Sequence, residues 1–320
     1  MASNPTRVFE HSYYIGNYLG GILYGLELFL YFLTLRKLRK HKAGSTRVRR
    51  FFAIYSTLAL VLLTIDISCN AVWGEIMWIE GRELPEGVPQ FIATEVSVWY
   101  QTLGSTSVVA LIFMGDAFLL CRLFVIWGSN WLIMIIPILA YLAAFALAII
   151  QLVVSGKPGG NFFGGKSINF GTPYYAITIG LNIVVTTLIY GRLVRLIGAL
   201  NRSTESDKSL KFYTNAAAVF IESAALYSIV GIMFLVPYAA QSQTSIAFGQ
   251  VWAKLTCICP QLIVLRMVSG HAWNRQRVTE AENSINGRLG SPRDNPAIDI
   301  ENEQDSASRK SASLSRHDGV

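Results

Sequence analysis

Seven apolar stretches decide what this chain can fold into, because each reaches the roughly 20 residues a helix needs to cross the hydrocarbon core of a bilayer. They fall at approximately 13–35, 51–79, 96–127, 132–154, 173–197, 213–237 and 245–268. In lipid every backbone N–H and C=O must be satisfied within the spanning element, so stretches of this length read as helices. The fold class that follows is all-α: a polytopic membrane protein, with a seven-transmembrane-helix bundle over 13–268. An extracellular tail at 1–12 is expected before it and a disordered cytoplasmic tail at 269–320 after it. Composition agrees, since 52% of the 320 residues are hydrophobic and only 15% charged, whereas a soluble domain carries about 25% charged residues. Beyond Gly270 the chain turns to Pro, Asn, Asp, Glu, Ser and Arg, too few apolar groups to fold alone. Within that tail Ser311 and Ser313 follow Arg309-Lys310, a pattern that basophilic kinases phosphorylate.

The net charge of +7 is distributed unevenly among the connections. The first, "RKLRKHKAGSTRVRR", is the most basic, the third is the tight "GSNW", and the fifth, "NRSTESDKSLK", adds Arg202, Lys208 and Lys211. The other side of the membrane receives Arg7, Arg82, Lys157 and Lys166. The positive-inside rule then puts the N-terminus outside and the C-terminus in the cytoplasm, and we expect the plasma membrane. "MASNPTRVFEHSYY" lacks a basic n-region, so the first apolar run reads as a retained helix and not a signal peptide. The glycine-rich "SGKPGGNFFGGKSINFG" fits a solvated loop. Trp73, Trp78, Trp99, Trp127 and Trp131 lie near span ends and read as an interfacial belt. Cys69, Cys121, Cys257 and Cys259 all fall inside spans, where they read as small buried residues.

Ionisable residues at membrane depth are functional candidates by default. Here they are Glu27, Asp66, Asp116, Glu222 and Lys254. A lysine near the centre of a span costs at least about 2.5 to 3.5 kcal/mol, so Lys254 needs a partner. At 1.5 Å per residue, Asp66 and Lys254 both lie about 21 to 22 Å from the cytoplasmic ends of their spans. The second and seventh helices of a heptahelical ring are usually neighbours, which makes Asp66–Lys254 the candidate ion pair and Glu222, on the sixth, its competitor. Gln250, Lys254, Cys257 and Gln261 share one helix face, Asp66, Asn70 and Trp73 another, and Tyr175, Thr178, Asn182 and Thr186 a third. On the third span Ser105 and Asp116 nearly coincide. These stripes at similar depth point to a central polar cavity. Pro260 would free a backbone carbonyl beside it. Arg122 and Arg266, near cytoplasmic ends, are expected to snorkel.

Among function classes an enzyme is disfavoured. His11, His41, His271 and His317 lie outside the spans, and no nucleophile–base pairing is evident, so no catalytic residue, cofactor or metal is expected. A retinal pigment would make Lys254 a Schiff-base lysine, yet the position four residues earlier, an aspartate in microbial rhodopsins, is Gln250. The helix count, orientation and basic inner connections resemble G-protein-coupled receptors in architecture. The seventh span offers "CPQLIVLR" in place of NPxxY, and Asp116 and Arg122 are six apart, not adjacent. Pro260-Gln261 is similar to the pair in PQ-loop transporters, although the other Pro-Gln, Pro89-Gln90, falls in a connection.

A nearer likeness lies in "CRLFVIWGSNW" after the third span, "CPQLIVLR" in the seventh and "GHAW" beyond it. Together with the seven-span layout, over about residues 12–275, the chain resembles a group of seven-transmembrane-helix membrane proteins of mushroom-forming (basidiomycete) fungi, receptor-like in architecture. That resemblance implies an integral membrane location and transfers no ligand or site residue. The expected function is a receptor-like small-molecule sensor; the alternative is a secondary transporter coupling protons or cations through its midplane carboxylates. Expected partners are membrane lipid, a small molecule and a cytoplasmic signalling protein, with no nucleic acid. The orientation has a direct check, because the sequon Asn201-Arg202-Ser203 falls on the cytoplasmic side. Asn201 should remain unglycosylated in a eukaryotic host by mass spectrometry; a sugar there would reverse the topology.

Overall fold

The computed structural model describes residues 5–40, 46–95, 98–128, 130–157, 166–201 and 207–268; Ser311 and Ser313 lie outside them. Every regular element among the described residues is a helix: α1 (Pro5–Lys40), α2 (Thr46–Ile79), α3 (Val88–Glu95), α4 (Trp99–Ile126), α5 (Trp131–Ser155), α6 (Lys166–Asn201), α7 (Asp207–Ala239) and α8 (Ser245–Val268). All but α3 are long and apolar enough to cross a membrane, which makes this a multi-pass integral membrane protein. The end of the bundle where α1 begins is termed the N-terminal face. The opposite end, where α1 finishes with Lys37, Arg39 and Lys40, is the basic face.

Several helices outrun the apolar stretches that announce them. α1 starts at Pro5, so residues 5–12 are helix and not a tail. A proline suits a first turn, whose N–H has no intrahelical acceptor. Phe9 and Tyr13 then hold the extension by packing on Trp73, at 6.0 and 5.0 Å between ring centroids. α2, α6 and α7 likewise begin earlier, at Thr46, Lys166 and Asp207. Polar residues end the hydropathy signal at the membrane surface, but nothing in them breaks a helix there. The turn between α4 and α5 is set by Gly128, which adopts φ of 63°, and by Asn130, whose side-chain oxygen accepts the Leu132 N–H at 3.1 Å.

The spanning helices form a closed ring in which α1 packs on α2, α2 on α4, and so on through α5, α6, α7 and α8 back to α1. α4 also packs against α6 and α8, so it fills the centre. Burial follows from this: 67% of the membrane-length window is buried in α4 and in α8, but 22% in α1 and α5. The outer helices turn Ile22, Phe29, Phe32, Ile136 and Leu139 outward, an apolar surface that suits lipid. α3 lies against α2 on the N-terminal face, with Phe91 5.4 Å from Trp73 and the Trp73 indole N–H donating to the Glu95 carbonyl at 2.9 Å. Trp73 is therefore core, 1% exposed, and not part of an interfacial belt; Trp99 and Trp131, at 75% and 66%, are exposed. Cys121 corrects the sequence reading in the opposite sense, being exposed where burial was expected, while Cys257 and Cys259 are buried.

The contact between α1 and α8 depends on two glycines four residues apart, Gly16 and Gly20, a small-xxx-small pattern that lets backbones approach. A Cβ on Gly20 would lie 3.2 Å from Lys254 Cε, and one on Gly16 would lie 3.1 Å from Ala247 Cα. Gly21 and Gly25 face open space. We expect Gly20→Val to destabilise the protein by about 1–3 kcal/mol through overpacking. Gly21→Ala should be neutral or stabilising by up to about 1 kcal/mol. Thermal unfolding in detergent would compare them, and equal losses for both would contradict the packing.

Candidate functional site

Lys254 projects from α8 toward α2, and its Nζ donates to Asp66 Oδ2 at 2.6 Å. Both side chains are almost wholly buried, 1% and 5% exposed. The second carboxylate oxygen, Oδ1, accepts the Asn70 Nδ2–H at 2.8 Å, and that same group reaches the Asp66 carbonyl at 2.9 Å. Tyr13 Oη donates to the Asn70 carbonyl at 2.7 Å, and Gln250 Nε2 approaches Asn70 Oδ1 at 3.4 Å. One connected polar network thus joins α1, α2 and α8, and its charged groups are paired and hydrogen-bonded, the condition under which burial of charge is tolerated.

This network forms one side of a cavity of about 850 Å³, counted out to its mouth, in the half of the bundle toward the N-terminal face. Gln101 and Ser105 of α4 add polar groups opposite, while Tyr13 and Trp73 add aromatic wall. Tyr175, Phe234 and Trp252 close the cavity toward the interior. Phe234 stacks on Trp252 at 5.3 Å and 16°, Tyr175 meets Trp252 edge-on at 5.6 Å, and Tyr227 backs Trp252 at 5.4 Å.

Beyond this aromatic layer Asp116 and Asn182 line a second cavity, of about 420 Å³, together with Thr186, Ser223, Tyr227 and Thr256. The polar stripes therefore serve two separate cavities, not one central space. Two other expected members line neither. Glu27 is fully buried beside the Cys257 thiol, and Gln261 is fully buried with its Nε2 donating to Thr34 Oγ1 at 3.2 Å. Glu222 is a correction: it is exposed on the outside of α7. The inward positions are Ser223 and Tyr227, and one residue of offset rotates a side chain by about 100°. Arg122 is a correction too. It does not snorkel but is 6% exposed, its guanidinium 4.0 Å from the centre of the Phe118 ring and Nη2 3.0 Å from Met267 Sδ. As part of the central helix it has neighbours between it and water. Arg266, on the rim, is exposed.

Tyr13, Gln101, Phe234 and Trp252 complete the larger cavity and were not among the sequence candidates. Gln101 was within reach of the pattern, standing four residues before Ser105 on the same face of α4. Trp252 carries no such signal, because α8 is buried on every side from Trp252 to Gln261. Compared with protein-family models, with curated proteins and with solved structures, the chain matches none.

The arrangement makes the pair separable from its parts. Lys254→Met leaves a buried, unpaired Asp66 carboxylate and should cost about 3–5 kcal/mol. Adding Asp66→Leu should recover much of that loss, since an apolar pair of similar volume no longer carries an uncompensated charge. Unfolding midpoints of the single and double variants in lipid nanodiscs test this, and a double variant no better than the single would remove Asp66 as the lysine's energetic partner.

Proposed function

We propose that this membrane protein is a receptor-like sensor, without catalytic activity, of a small molecule that occupies the cavity beside the Asp66–Lys254 pair. The observation that carries the reading is the make-up of that cavity. Small-molecule sites are mostly apolar, with a few placed polar groups that fix orientation, and this cavity has that make-up. It combines aromatic wall with a few convergent polar groups, Asn70, Gln101, Ser105 and Gln250, besides the ion pair. Such a composition suits a compound with an aromatic or apolar body and a polar end. The helices it touches, α4 and α8, run on to the basic face. A change in how Trp252 packs therefore has a rigid route to the other side of the membrane. On this reading the N-terminal face is outside, the basic face meets a cytoplasmic signalling protein, and the membrane is the plasma membrane.

A secondary transporter is the second reading, favoured by one specific observation: Asp116 and Glu27 are buried carboxylates that form no ion pair among the described residues. The two readings part in experiment. A panel of aromatic amines, amino acids and small terpenoid alcohols, screened by thermal shift on the protein in nanodiscs, should yield binders whose effect falls at least tenfold in Gln101→Leu or Ser105→Leu. An environment-sensitive dye on the exposed Cys121 should report the same binders at the opposite end of α4. Binders that are carried into proteoliposomes, with flux abolished by Asp116→Asn and no change at Cys121, would replace the sensor by the transporter.

A further inference from the structure

The second cavity holds acceptors that have no hydrogen-bond partner. Asp116 is 3% exposed, and its Oδ2 has no hydrogen-bond partner; Asn182, 6% exposed, likewise has an unpartnered Oδ1. Both line the same space between α4, α6, α7 and α8. A backbone oxygen joins them. Pro260 has no N–H to give to the residue one turn earlier, so the Thr256 carbonyl lacks its helical donor. That carbonyl points at α4 next to Asp116, since a Cβ on Gly115 would lie 3.6 Å from it. The Thr256 hydroxyl spends its hydrogen on the Ala253 carbonyl at 2.6 Å, which leaves its lone pairs turned outward. The hydroxyl-bearing Thr186, Ser223 and Tyr227 also line it, and among the described residues no Lys, Arg or His does.

A carboxylate oxygen and an amide oxygen without hydrogen-bond partners, close to a carbonyl that has lost its helical donor, are unfavourable when empty in a low-dielectric interior. A cation satisfies all of them at once. With a single carboxylate the set balances one positive charge, whereas all-protein divalent sites gather several carboxylates among six to eight oxygens. We propose that Asp116, Asn182 and the Thr256 carbonyl form a binding site for a monovalent cation of sodium's size, placed on the far side of the aromatic layer from the ligand cavity.

The site acts on the ring's packing, because it ties α4 to α6 and to the proline-interrupted stretch of α8. An ion held there stabilises the folded bundle by mass action, as RT ln(1 + c/Kd) at a free sodium concentration c. The proposal does not rest on the sensor reading, since its residues line a different cavity.

The experiment uses the full chain in nanodiscs, with thermal unfolding followed in sodium chloride and in choline chloride at matched ionic strength. The midpoint should rise with the logarithm of sodium concentration above Kd and remain flat in choline. Asp116→Asn, nearly isosteric, should abolish the dependence, and Asn182→Ala should raise the sodium concentration at which the rise begins about tenfold. Glu27→Gln, which alters a buried carboxylate outside the cavity, should leave the sodium response intact. Should Asp116→Asn fail to fold, saturable binding of radioactive sodium to the wild type and its weakening in Asn182→Ala decide the matter. Identical midpoints in sodium and choline, or a sodium response preserved in Asp116→Asn, would overturn the site. A midpoint that follows pH and not sodium would overturn it in favour of a protonated carboxyl.

Discussion

An ammonium group inside a bilayer has to be answered by the protein, and much of this bundle is arranged around that requirement. Lys254 reaches its partner only because α8 stands close to both α1 and α2, and it stands close to α1 only because Gly16 and Gly20 present no side chains there. Asp66 in turn is held by Asn70, and Asn70 by Tyr13, the first residue of the first apolar stretch. The ring closes where the charges meet. Removal of either partner strands a charge in a medium that cannot solvate it, so the pair constrains helix position more than it adds net stability.

Polar groups elsewhere in the bundle are handled in three different ways. Near the N-terminal face the charges are paired and border the larger cavity. In the deeper cavity the Asp116 carboxylate has no cationic partner among the described residues, and its Oδ2 and the Asn182 Oδ1 accept no hydrogen bond. Glu27 and Gln261 occupy helix contacts, where a thiol and a hydroxyl are their neighbours. Trp252 and its aromatic partners form the boundary between the first two environments. A single central cavity would have let water bridge all these groups; two cavities separated by stacked rings allow each to be occupied independently.

The fold was legible because lipid imposes length and hydrophobicity on every spanning segment, and the seven spans follow from that alone. Depth was legible too, since residue counting along a helix gives height to within a turn, and it brought Asp66 and Lys254 to one level. Rotation about the helix axis was less so. Glu222 has the right depth and the wrong face, and on α8, buried all round, no periodicity distinguishes Trp252 from its neighbours. Hydropathy also stops reporting where a helix leaves the hydrocarbon, which hid the first turns of α1, α2, α6 and α7. Trp73 shows the same limit from another side. A tryptophan near a span end suits an interfacial belt on sequence grounds, but α3, too short to be seen as a span, covers it.

The residues of the central ion pair are 188 positions apart, and the lysine belongs to the last spanning helix. A chain made from its N-terminus therefore inserts Asp66 long before any ammonium exists to meet it. Until α8 arrives, the carboxylate, the Asn70 amide and the bare glycine face of α1 form an open seam in the growing bundle. The ring is completed only when α8 is inserted, and a chain truncated or stalled before it carries an unfilled polar groove within the bilayer.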